Sequence, residues 1–233
     1  MREKELNQTI GEIVAKNYNA ATVFHKAGID FCCGGKKTLA EACAEKGIDP
    51  EGLADDIIKS ESNYNGVSLK FNEWEPSFLC DYITNVHHTF VRKNIPDLLH
   101  YTEKIAHVHG ERHPELSEVT DLFRKVSDEL LPHLKKEEEI LFPAIKRMSA
   151  GENFDAKETV RTELTSLTAE HESAGSAMDR INEITGNYKV PEDACNTYRI
   201  TLDLLEKFED DLHTHVHLEN NILFPKSLKI SNQ

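Results

Sequence analysis

Apolar residues recur at every third or fourth position along most of this chain, and no run sustains a two-residue alternation. That period belongs to helices with one buried face. Val119, Phe123, Val126 and Leu130 form one such stripe; Val160, Leu164 and Leu167 form a second; Leu204 (or Leu205), Phe208 and Leu212 form a third. HGERHP, SAGENF and TGNYKVP interrupt the pattern and divide this region into four long helices, at about 74–108, 114–149, 155–186 and 191–222. Pro114 and Pro191 suit first helical turns, whereas Pro143 and Pro225 are expected to bend or end their helices. Four helices with short connections predict an all-α fold built on an up-down-up-down bundle.

The N-terminal third has shorter elements. Thr9-Ile-Gly-Glu12 reads as a capping box, opening a helix that should run to about Ala27, where Gly28 offers a left-handed stop. DFCCGG, residues 30–35, then forms a turn. Thr38-Leu-Ala-Glu41 is a second capping box, for a short helix that Gly47 ends, and Asp49-Pro50-Glu51 starts a third helix reaching about Lys59. The polar, Gly/Asn-bearing stretch SESNYNGVSLKFNEW, residues 60–74, reads as a linker. The expected organisation is a small helical double-cysteine domain at 1–62 and a four-helix bundle at 72–230.

Composition narrows the function classes. A net charge of −14 argues against nucleic acid or an anionic membrane as the main partner. No apolar run approaches the roughly 20 residues that span a bilayer. The first residues lack the apolar segment and cleavage site of a secretory signal. Five cysteines, two of them adjacent, do not make a disulfide framework, so a reducing cytoplasm is the expected location.

The stripes carry the chemistry. Continued by three or four residues, the first stripe lands on His133, Glu137 and Ile140, and the third on His215, Glu219 and Ile222. The second continues to His171, then Ala174, Met178 and Ile181. Two of these continuations are the same phrase: HLKKEEEILFP at 133–143 and HVHLENNILFP at 215–225. A single core histidine is ordinary. Two buried carboxylates are not, because each unpaired one costs several kcal/mol to desolvate. Imidazoles and carboxylates converging in one interior are most simply neutralised by metal. Mixed nitrogen and oxygen ligation suits two irons ahead of manganese or zinc. The first long helix offers His87, on a face with Ile83 and Phe90, and His88, in line with Val91 and Ile95. Periodicity leaves both open.

The His-x-x-x-Glu pairs followed by Leu-Phe-Pro resemble those of hemerythrin-like domains. Together with DFCCGG, the chain is similar over about residues 5–226 to the iron–sulfur cluster repair di-iron protein family. That resemblance selects His88 and implies His88, His133, Glu137, His171, His215 and Glu219 as ligands of two non-haem iron ions, bridged by oxo and carboxylate groups. It further implies repair of iron–sulfur clusters damaged by oxidative or nitrosative stress, by iron donation, with damaged iron–sulfur proteins as partners. Nitric oxide reduction at the di-iron site, or O₂ and NO sensing, is the alternative. Cys32 and Cys33 match the family's paired cysteines and are the redox or transfer candidates. On residue chemistry alone two readings are equally open: a redox or metal role, with a helix beginning near Thr38 able to lower the pKa of a nearby thiol, or two buried small residues in a tight turn. A homodimer is plausible because so short a first region has little core of its own.

The remaining histidines and cysteines have plainer readings. His107, His109 and His113 read as a polar inter-helix turn, and His213 and His217 as surface or outer groups turned away from His215. Cys43, Cys80 and Cys195 read as small core residues. Glu138 and Glu139 point off the Glu137 face, balanced by Lys135 and Lys136. Pro132, inside its helix, threatens the placement of His133.

Overall fold

The computed structural model describes residues 6–62, 69–151 and 154–231. These are helical, and among them the only extended pairing is an isolated bridge between Thr9 and Thr38. The chain forms two compact units, one of Met1–Leu79 with Thr214–Gln233 and the other of Cys80–His213.

The first unit contains α1 (Ile10–Lys16), α2 (Ala20–Lys26), α3 (Leu39–Lys46) and α4 (Pro50–Ser62). Both expected capping boxes are present: Thr9 and Thr38 each accept the N–H three residues on, and Glu12 and Glu41 reach back. Gly47 closes α3 in the left-handed conformation (φ 66°). The single helix expected up to Ala27 is two, broken where Asn17 turns extended and its side chain receives the Asn19 N–H. A short-range polar side chain has there outcompeted the helix ladder. Part of the expected linker, 63–68, lies outside the described residues; Phe71–Glu73 beyond it is a 3₁₀ turn. Phe71 stacks edge-on to Tyr18 and Trp74, and the Tyr18 hydroxyl meets Thr214 Oγ1 at 2.8 Å.

The second unit is the bundle. Its first helix is α5 (Pro76–Ile83), continuing through a π turn, π1 (Thr84–His88), into α6 (Thr89–His109). Its second is α7 (Glu115–Lys136), π2 (Glu137–Leu141) and α8 (Phe142–Ser149); its third is α9 (Phe154–Ile184). The fourth, α10 (Asn196–His217), runs on into the other unit as π3 (Leu218–Leu223) and α11 (Phe224–Ser231). Contacts give the directions. Arg92 meets Glu138 while Arg124 meets Glu103, so α6 and α7 are antiparallel. Arg180–Glu118 and Glu170–His133 make α7 and α9 antiparallel, and His87–Asp211 with Phe90–Phe208 do the same for the first and fourth helices. This is the up-down-up-down order. Phe208 also packs edge-on to Phe123, 5.3 Å between ring centres, in the middle of the core.

Three expectations need correction. The fourth helix starts at Asn196 rather than 191, because Gly186, Asn187 and Tyr188 take left-handed backbone (φ 62°, 58° and 54°) and delay it. Pro143 and Pro225 do not end their helices; each sits in the first turn of α8 or α11, just after a π turn. A proline forbids the bond from its own N–H and crowds the carbonyl four residues back. A π turn there, with its wider ring, takes up the irregularity. It also advances the register by one residue. Hence Ile140, expected inward, is 44% exposed, and Leu141 is fully buried in its place. Pro132 is accommodated within α7 at an exposed position, and His133 stays buried.

One carboxylate of the bundle has no place in the expected ligand set. Glu209 is 2% exposed and accepts a hydrogen bond from Asn182 Nδ2 at 2.8 Å. Burial, with Asp179 nearby, pushes it up to about 7 against the pull of that bond. A carboxyl raised from its unfolded value favours the fold at low pH, so stability falls as pH rises from about 4.5 through 7. In chelator-treated protein, Glu209→Gln should remove that loss. Thermal melts should show the variant gaining on the wild type by on the order of 3 kcal/mol between pH 4.5 and pH 8.

Candidate metal centre

The second unit gathers four of the six expected ligands. His133 lies in the last turn of α7, and Glu137, one turn on, opens π2; both are buried. Glu137 Oε2 lies 3.4 Å from His133 Nε2 and 3.4 Å from His88 Nε2. Across from α7, α9 supplies His171, whose Nε2 stands 3.0 Å from His133 Nε2. One carboxylate thus sits between imidazoles from two helices, with a third ring alongside. His88, at the end of π1, stacks on Phe142, while its neighbour His87 pairs with Asp211 at 2.9 Å.

The outer ring nitrogens are held as well. His88 Nδ1 lies 2.6 Å from Glu138 Oε1, and His133 Nδ1 lies 2.6 Å from Glu170 Oε2. In this geometry the Nδ1–H donates outward, and each Nε2 presents its lone pair inward, as metal-binding imidazoles require. Burial works to raise the carboxyls of Glu138 and Glu170. Bonds from Arg92 and His88 to the first, and from His133 and Ser166 to the second, bring both below the usual range. Helical spacing points Glu138 off the Glu137 face and gives no role to Glu170. The available signal was that each lies beside an expected ligand, Glu137 or His171.

In the first unit, His215 and Glu219 are buried one turn apart, with Nε2 and Oε1 3.1 Å apart. Glu219 falls in π3, so π1, π2 and π3 each carry one of the expected ligands: His88, Glu137 and Glu219. Buried imidazole and carboxylate donors, with no thiolate among them, fit iron, manganese or zinc and do not fit soft cations.

The double cysteine lies in the first unit against the second copy of the repeated phrase. Asn221 Nδ2 reaches the carbonyls of Phe31 and Cys32, both at 3.1 Å, and His217 Nδ1 at 3.1 Å. His217 is therefore not a surface group. It is fully buried, its ring edge-on to Phe31, and burial pushes it down to about 4. Gly35 is glycine for a packing reason, since a Cβ there would stand 2.5 Å from Asn221 Oδ1. Asp30 organises the turn by accepting the N–H groups of Cys32, Cys33 and Gly34 at 2.7–3.1 Å and facing the Cys32 thiol at 3.0 Å. Contact with Cys33, burial and the Asp30 charge hold the Cys32 thiol well above its usual pKa, the reverse of the expected helix-dipole effect. Cys33 is the more exposed of the pair, and ligand atoms of Asp30, Cys32 and Cys33 lie within 4.8 Å of one another.

Elsewhere, Cys43 and Cys80 are core residues as expected, but Cys195 is exposed and lies 3.2 Å from the buried His109 Nε2. His113 bridges Asp193 and Glu115, which fastens the inter-helix turn, and His107 is exposed.

Comparison with known proteins agrees with this layout. Residues 6–61 match a family described as a domain of unknown function, DUF542, and residues 82–227 match the hemerythrin HHE cation binding domain. The chain is 37% identical over 218 residues to the iron-sulfur cluster repair protein ScdA of Staphylococcus haemolyticus, covering 93% of this chain and 96% of that protein. It is 34% identical to ScdA of Staphylococcus epidermidis over 220 residues, with the same coverage. It is 32% identical over 223 residues to the iron-sulfur cluster repair protein YtfE of Yersinia pestis, covering 96% and 97%.

Two variants probe the surroundings of these residues. Glu170→Gln, which leaves the shape of the side chain but weakens its hold on His133, should lower metal affinity about 10- to 100-fold with the helical circular dichroism unchanged. Competition against a chromophoric chelator measures it. Gly35→Ala should destabilise the protein by about 1–3 kcal/mol in a denaturant melt, because Asn221 must give way.

Proposed function

Because this chain belongs to the iron–sulfur cluster repair family of hemerythrin-like proteins, we propose that it restores clusters damaged by oxidative or nitrosative stress by giving up iron from a non-haem di-iron centre. The observation that carries the reading is the buried Glu137 carboxylate held between the inward nitrogens of His88 and His133. His171 completes that side of the centre. His215 and Glu219, the second copy of the same phrase, would supply the fifth and sixth ligands. No described helix is long and apolar enough to cross a membrane.

When bound, two irons supply exchangeable Lewis-acid positions and one-electron chemistry. The protein's own groups hold and release them. Glu138 and Glu170 fix the rings of His88 and His133, so the inward lone pairs are aimed before metal arrives. Thiolate ligands suit iron–sulfur clusters, so a damaged cluster offers the iron a competing set of donors. Cys32 and Cys33 are the transfer candidates; Cys33, the more exposed, is the one able to meet a client. Six side chains would leave coordination positions open on two irons, and with ferrous iron as the electron donor this also supports nitric oxide reduction as the alternative reading.

Two measurements test this. Iron content of protein purified without added metal should be about two per chain and should fall below half in His133→Ala with Glu219→Ala. Iron-loaded protein should also reactivate a cluster-dependent dehydratase inactivated by nitric oxide faster than an equal amount of ferrous salt; equal rates sink the donor role. Anaerobic release of N₂O beyond one turnover per site would establish the catalytic reading.

A further inference from the structure

A second set of ligand-type side chains lies in the bundle and takes no part in the proposed di-iron centre. Glu209 and His213 are one turn apart on α10, and Asp179 faces them from α9. One ligand atom from each lies within 4.8 Å of the other two. The pair on α10 is the His-x-x-x-Glu spacing in reverse, so both side chains leave the same helical face. Along α9, Asp179 is eight residues beyond His171, about 12 Å at the helical rise, and on α10 His213, two residues before His215, leaves the helix on a different face.

The three residues run from the interior to the surface. Glu209 is 2% exposed, His213 is half-buried and Asp179 is exposed, so a cation can reach the set without opening the core. Asn182 Nδ2 donates to Glu209 Oε2 at 2.8 Å, which orients the carboxylate as outer-layer partners do in metal sites. Tyr188, whose charge environment includes Glu209 and Asp179, is buried on the left-handed segment that follows α9. Burial and the neighbouring Asp179 raise the Glu209 carboxyl. Two carboxylates and one imidazole together suit a single divalent transition-metal ion, with water completing its shell.

We propose that Asp179, Glu209 and His213 form a third, mononuclear site for a divalent cation of the Mn²⁺, Fe²⁺ or Zn²⁺ class. The site stands on its own residues. Only its use rests on the proposed function: in a protein that gives up iron, it is a surface-reaching position where a single ferrous ion can pause on entry or exit.

The test is a titration of the iron-loaded full chain with Mn²⁺, with free Mn²⁺ read by electron paramagnetic resonance and iron content measured alongside. One Mn²⁺ per chain beyond the iron is expected. Asp179→Asn and Glu209→Gln should each weaken it at least about tenfold while iron content stays constant. Asp179 is exposed, so its variant keeps the fold even if Glu209→Gln does not. Glu183→Gln, an exposed acid on the same helix, is the control. No extra Mn²⁺ on the wild type, equal binding by Asp179→Asn, or an equal loss in Glu183→Gln would each overturn the proposal. If the chain fails to take up iron, the di-iron reading fails, but the difference in Mn²⁺ uptake between wild type and Asp179→Asn still decides this site.

Discussion

A carboxylate buried among imidazoles is the constraint on which most of the bundle depends. Glu137 is fully buried between His88 and His133, and an ionised group there costs several kcal/mol unless opposite charge meets it. The fold bears that cost by surrounding the polar layer with apolar ones. Val126 and Leu130 lie ahead of it on α7, Leu141 and Phe142 follow it, and Leu167 and Ala174 flank His171 on α9. The outer nitrogens of His88 and His133 are anchored by Glu138 and Glu170, themselves tied to Arg92 and Lys136. Charge therefore alternates outward from the core, carboxylate to imidazole to carboxylate to cation. Each ring has one orientation in which both of its nitrogens are used.

The backbone serves the same layer. The π turns fall at His88, Glu137 and Glu219, and two of them lie just ahead of a proline. Wider turns at functional positions are a familiar irregularity of helices, and here proline gives two of them a local cause. The repeated phrase is thus a structural unit as well as a set of donors. Histidine and glutamate supply the chemistry, and Leu-Phe-Pro supplies the irregular turn that places the glutamate.

The two copies differ where their surroundings differ. Lys135 and Glu139 of the first copy are exposed and pair loosely with each other at 3.9 Å. The corresponding residues of the second copy are His217 and Asn221, one fully buried and the other bonded to the carbonyls of Phe31 and Cys32. Charged side chains could not take those positions, because the double-cysteine turn covers them. The same packing explains Gly35, and contact with Cys33, burial and the Asp30 charge together hold Cys32 as a thiol rather than a thiolate.

Periodicity by itself determined the all-α class, the four long helices and the inward faces of His133, Glu137, His171, His215 and Glu219, because a 3.6-residue repeat projects onto one face whatever lies opposite. Capping boxes at Thr9 and Thr38 and the glycine stops were legible for a similar reason, since they are local bonds between near neighbours. What only the tertiary structure decided depends on partners distant in sequence. His88 rather than His87 meets Glu137 because the two rings face different neighbours, one toward π2 and one toward Asp211. Glu138, Glu170, Glu209 and His217 took their roles from residues 27 to 186 positions away, such as Asn182 for Glu209. Ile140 and Leu141 exchanged places because a π turn shifts register, and a hydrophobic period read at constant pitch cannot anticipate that shift.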